Sequence, residues 1–157
     1  MKRSLLTALL LFGAVAIAAH ADEKSAKVSR DWSGTRSGES FHGHKYEITW
    51  VLAKYDGRKP SAWVGGDSVD PPDHVLKSLK LRVDGVEVAV PESVYFDIYD
   101  PIHYGPYIMD DGQALYLVIK ASDGAGATQV WIRIENKVVV KRRVRQFTPN
   151  GAFEFRN

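Results

Sequence analysis

From Tyr46 onward, apolar and polar residues alternate in short runs separated by glycine-bearing turns, and this period of two constrains the fold more than anything else. Tyr46, Ile48, Trp50 and Leu52 fall on one face of an extended segment, with Lys45, Glu47 and Thr49 opposite. Leu79, Leu81 and Val83 alternate, Asp84-Gly85 turns, and Val86, Val88 and Val90 alternate back. Asp-Gly between alternating hydrophobics predicts a two-residue hairpin, because glycine accepts the positive φ of a type I′ turn. Pro91-Glu92-Ser93 then suits the start of a single helical turn.

The same grammar runs to the end. Tyr104 to Met109 reads as a weak strand and Ala114 to Ala121 as a strong one, joined by the turn Asp110-Asp111-Gly112. Asp123-Gly124-Ala125-Gly126 leads into Val130, Ile132 and Ile134; Glu135-Asn136-Lys137 reverses the chain into Val138 to Phe147; Thr148-Pro149-Asn150-Gly151 turns it onto Phe153 and Phe155. Lys59 to Asp73 holds prolines and glycines and reads as a connection, in which Ala62-Trp63-Val64 can add a short edge strand. The fold class expected is all-β: a single antiparallel β-sandwich over residues 44–157, with a small β-barrel as the alternative.

What precedes this domain concerns location. Met1-Lys2-Arg3, the apolar run from Leu5 to Ala19 and the small-x-small site Ala19-His20-Ala21 read as a cleaved signal peptide over residues 1–21. The apolar run is shorter than the ~20 residues that cross a bilayer, and no second such run follows, so the mature chain is expected to lack a transmembrane segment. Residues 22–43 are polar and read as a flexible lead-in, the later part of which can pack onto the domain. Without Lys2 and Arg3 the 21 basic residues become 19, equal to the 19 acidic ones, which argues against a nucleic-acid partner. The absence of cysteine excludes disulfides, thiolate catalysis and cysteine-ligated zinc. The expected location is periplasmic, with secretion beyond the envelope as the alternative.

The run Val83-Asp84-Gly85-Val86-Glu87-Val88-Ala89-Val90-Pro91-Glu92-Ser93, followed by Tyr95, Asp97 and Asp100-Pro101, resembles a segment of small exported bacterial proteins in which a short hairpin precedes a Pro-x-Ser turn. The resemblance covers the central third of the chain and supports the β-rich fold. It implies no activity.

Four stretches carry candidate chemistry. His42 and His44, one residue apart, point the same way if extended and would suit zinc or copper once further ligands join them. The carboxylates Asp67, Asp70 and Asp73 lie in a proline-stiffened loop without EF-hand spacing and read as solvated. Asp97, Asp100 and His103 lie among Tyr95, Tyr99, Tyr104 and Tyr107: aromatic walls that suit ligand contact, and two acids that would suit a glycan-acting enzyme. Lys141, Arg143 and Arg145 fall on one side of the strand Val138 to Phe147, either as protection of an edge or as a stripe for an anionic partner. Arg142 lies opposite them and must snorkel, pair with an acid, or mark the limit of the core. In the preceding strand Trp131 and Arg133 share one face, Ile132 and Ile134 the other, and the pattern leaves open which is buried.

The function expected is therefore non-enzymatic: an exported binding or structural β-domain of the bacterial envelope, without cofactor. Its partner would be an envelope component or another protein, contacted through Tyr95, Tyr99, His103, Tyr104 and Tyr107 or through Lys141, Arg143 and Arg145. The alternatives are a periplasmic zinc or copper protein using His42 and His44, and a glycan-acting enzyme using Asp97 and Asp100.

Overall fold

A computed structural model describes residues 33–59, 62–65, 72–101, 105–122 and 127–147, together with two short flanking strands at 27–28 and 153–155. The expected signal peptide, His103, Tyr104, Asp67, Asp70 and the turns at 123–126 and 148–151 lie outside the described residues.

Among the described residues, ten strands form two antiparallel sheets, each a meander in chain order. The first contains β1 (Lys27–Val28), β2 (Gly34–Glu39), β3 (Lys45–Lys54), β4 (His74–Val83) and β5 (Val86–Val88). The second contains β6 (Tyr107–Asp110), β7 (Leu115–Ser122), β8 (Thr128–Glu135), β9 (Val138–Phe147) and β10 (Phe153–Phe155). Both sheets are open, ending at β1 and β5 in one case and at β6 and β10 in the other. The molecule is thus a sandwich and not the closed barrel held as the alternative.

The alternation places the core. Ile48, Trp50 and Leu52 from β3 and Leu76, Leu79, Leu81 and Val83 from β4 meet Leu115, Leu117 and Ile119 from β7 and Val130, Ile132 and Ile134 from β8. Each aliphatic side chain so buried contributes about 1.5–3 kcal/mol. The face of β8 left open by the sequence is settled here: Ile132 is buried and Trp131 lies on the outer side.

Turn chemistry agrees with the sequence. Asp84 and Gly85 both have positive φ, 52° and 76°, as a type I′ turn requires. Asn136 and Lys137 do the same between β8 and β9, with φ of 50° and 62°. The helical turn after Pro91 is one turn of 3-10 helix over Glu92–Val94. It opens the segment that crosses from the first sheet to the second.

Several expectations need correction. The lead-in of residues 22–43 already contains β2, fully paired with β3 from Gly34↔Trp50 to Glu39↔Lys45. Its residues, Gly-Thr-Arg-Ser-Gly-Glu, show no apolar alternation because the strand is held by backbone pairing and by the Tyr46 ring lying over Gly38. A Cβ on Gly38 would stand 2.6 Å from the Tyr46 hydroxyl oxygen. The strand expected from Tyr104 is described only from Tyr107. Around Ala62-Trp63-Val64 there is a single bridge, Val64 to Ile98.

Arg142 has an answer as well. A bulge between β8 and β9 shifts the register after Arg133, and Arg142 then sits opposite the buried Ile132 on the inner side. Its Nη2 donates to both carboxylate oxygens of Asp97, at 2.7 and 2.8 Å, and its Nε donates to the carbonyl of Val94 at 3.0 Å. A cation at the rim of the core is tolerated because a carboxylate and a carbonyl replace its water.

The β8–β9 turn yields a prediction. Lys137 holds a left-handed conformation that disfavours any residue with a Cβ, whereas Asn-Gly is a preferred type I′ pair. Lys137→Gly should therefore stabilise the fold by about 0.5–1 kcal/mol, after glycine's greater unfolded-state entropy is set against the relieved strain. The check is a higher midpoint in thermal or urea unfolding.

Candidate functional site

The outer face of the second sheet carries the densest chemistry. Register aligns its side chains in rows across the strands. One row reads Met109, Tyr116, Arg133, Lys141 from β6 to β9; the next reads Tyr107, Val118, Trp131, Arg143. A third continues with Lys120, Gln129 and Arg145. Period-two alternation accounts for this arrangement, since the partners of these residues along each strand fill the core.

These side chains form a layer. The rings of Tyr116 and Trp131 meet edge to face, their centroids 5.5 Å apart. The Arg145 guanidinium stands 5.0 Å over the Trp131 ring, and the Lys120 ammonium 5.9 Å from the Tyr107 ring. Trp131 Nε1 donates to Gln129 at 3.0 Å, and the Tyr116 hydroxyl donates to Asp111 at 3.0 Å. Between Tyr107 and Trp131 in register, Val118 is fully buried. Burial pushes the Tyr107 phenol up, and burial followed by the Asp111 carboxylate does so for Tyr116, so both stay hydrogen-bond donors.

A groove of about 300 Å³ lies in this layer, lined by Met109, Asp110, Asp111, Tyr116, Trp131, Arg133, Lys141 and Arg143. Lys141 and Arg143 are exposed. Arg133 is tied to Glu135 at 2.7 Å. The groove can receive an anion beside a ring or an apolar surface.

The structure therefore brings together residues that the sequence assigned to two separate surfaces. Tyr107 joins Lys141, Arg143 and Arg145 on one face. Tyr95 and Tyr99 do not: they are 7% and 4% exposed and belong to the buried interior. Burial keeps both rings off this face: Tyr95 packs in the core cluster and Tyr99 meets Trp63 in a T-shaped contact. Tyr116, Lys120 and Met109 carry no motif of their own, and only their place in the alternation points them outward.

The acids expected of a glycan-acting enzyme serve the fold. Asp97 is held by Arg142, and Asp100 accepts the amides of Asp73 and His74 at 3.3 and 2.8 Å. Neither lines the groove.

The histidine pair sits on the β2–β3 hairpin loop, where each ring takes its own carboxylate. His42 Nδ1 lies 3.0 Å from Asp110, on the second sheet, and His44 Nδ1 lies 2.9 Å from Asp84, in the β4–β5 turn of the first. Both border an open cleft of about 480 Å³ that also includes Asn136 and Lys137. Among the described residues, no group of three or more His, Cys, Asp or Glu side chains is placed to hold a metal ion.

Asp110 is the hub of this end. It accepts the Ser40 hydroxyl at 2.6 Å and the Gly112 amide at 2.9 Å, and its side chain is 3% exposed. Burial pushes its carboxyl up, but the bonds from Ser40, Gly112 and His42, with the charge of His42, outweigh burial and hold it at about 2.

No family model, curated protein or solved structure matches the chain. Among the described residues, no helix is long and apolar enough to cross a membrane.

The depressed carboxyl has a consequence for stability. A folded value of about 2 against an ordinary 3.8 means that Asp110 stabilises the fold fully above pH 3.8 and loses that contribution as the pH falls through about 2. Asp110→Ala should cost about 1–3 kcal/mol near neutral pH, since it leaves a hydroxyl and an amide without an acceptor. Asp110→Asn should flatten the fall of melting temperature with acid across that window, as read by thermal unfolding at successive pH values.

Proposed function

We propose that this protein is an exported, non-enzymatic binding domain that holds an anionic envelope component on the outer face of β6–β9. One observation carries the reading: across four strands, three aromatic rings share a face with Lys120, Arg133, Lys141, Arg143 and Arg145, and two of the rings and three of the cations line a groove in it. The chemistry is recognition, because cations and ring faces hold anions and planar or apolar surfaces without making or breaking bonds. Export follows from the N-terminal sequence and sets the envelope as the source of the partner.

Charge reversal at the exposed centre of the basic row tests it. Immobilised protein should retain an anionic component from envelope extract, and Arg143→Glu should weaken that retention about tenfold or more while leaving the unfolding transition in place. Unchanged retention would remove the surface from consideration.

A second reading, zinc or copper held by His42 and His44, has one observation in its favour. Each Nδ1 is anchored on a carboxylate, the orientation that presents Nε2 to a metal. Elemental analysis of the purified protein should then find stoichiometric metal that is lost in the His42→Ala, His44→Ala double variant.

A further inference from the structure

Resting on the anionic-partner reading of the outer face, we propose that the occupant of the groove is an acidic glycan recognised through a uronate sugar: its ring packs against Trp131 and Tyr116, its carboxylate meets Lys141 and Arg143, and its hydroxyls donate to Asp111. The sign of the lining is the argument. The groove is not uniformly basic, since Asp111 stands in it beside the cations. The amides of Ala114 and Gln113 lower the Asp111 carboxyl from its ordinary range, so it is ionised and acts as an acceptor.

A phosphate chain brings repeated negative charge and no donors, and Asp111 repels it. A uronate chain brings one charge per sugar ring together with hydroxyls, one of which can donate to the Asp111 Oδ2 that already accepts Tyr116, so both the cations and the acceptor are used. The floor selects in the same direction. Trp131 meets Tyr116 in a T-shaped contact and carries the Arg145 guanidinium over its ring, which fixes an apolar surface beside the charges at little ordering cost. A membrane surface finds less here, because Met109 is the one strongly exposed large apolar side chain lining the groove among the described residues. A neutral sugar leaves Lys141 and Arg143 unused.

The test titrates purified protein by calorimetry with trigalacturonate, with the same trisaccharide after reduction of its carboxyls, and with inorganic tripolyphosphate. Trigalacturonate should bind saturably, the reduced trisaccharide and tripolyphosphate at least about tenfold more weakly. Trp131→Ala and Arg143→Gln should each weaken the uronate by a similar factor; Trp131→Phe, which keeps a ring and so guards against a failure to fold, should retain intermediate binding. Tripolyphosphate binding as tightly as the uronate, or binding indifferent to both Trp131 variants, overturns the glycan assignment and leaves a general anion surface. No binding of any of the three, with extract retention still dependent on Arg143, overturns the glycan assignment alone. No binding together with retention insensitive to Arg143→Glu overturns both readings.

Discussion

The contact of Arg142 with Asp97 decides which way β9 faces. Once Arg142 is accommodated on the inner side, period two obliges Lys141, Arg143 and Arg145 to face outward. Turning β9 by one residue would bury three cations and expose Val139 and Val144, which pack against the core. A guanidinium at the core rim is unfavourable unless its donors are met; the Val94 carbonyl takes Nε, and Asp97 takes Nη2. The bulge after Arg133 brings the strand into that register. The basic row is thus a consequence of one rim contact, contributed by the segment that crosses between the sheets.

That crossing segment also explains how two sequential meanders become one body. Each sheet is built from neighbours in the chain, so pairing alone leaves the two halves independent. The shared core joins them, and polar ties set their relative position. Arg142 binds the crossing segment to β9; Ser40 and His42 bind the β2–β3 loop to Asp110 on β6; Arg36 donates to the Pro106 carbonyl just before β6. Trp50 completes the closure, its indole lying against Gly105, where φ is +68° and a Cβ would run into the ring.

How much of this was legible in the sequence depended on whether the signal was local. Asp84-Gly85 and Asn136-Lys137 announced their hairpins because turn chemistry resides in the residues themselves. β2 was hidden, since a strand of small polar residues held by backbone pairing leaves no side-chain pattern. Tyr95 and Tyr99 were read outward because an aromatic next to acids looks the same whether it fills the end of a core or walls a sugar site. The row that links Tyr107 to Arg143 passes through Val118 and Trp131 on two intervening strands, so no window of sequence contains it. Trp131 and Ile132 are both apolar neighbours; only the partner strands decide between them.

Edge protection explains part of the outer face but not its extent. Lysine and arginine on β9 discourage pairing with another chain where, among the described residues, β10 pairs with Arg145 to Phe147. Arg133 on β8 and Lys120 on β7 lie inside the sheet, where no edge needs blunting. Aromatic rings on a solvated face have a structural use here, since Tyr107 and Trp131 flank the buried Val118, yet that use would be served by uncharged neighbours. Cations continued inward from the edge, set against rings and ending at an ionised Asp111, exceed what folding or solubility requires of this sheet. The excess is the physical ground for reading the face as a recognition surface.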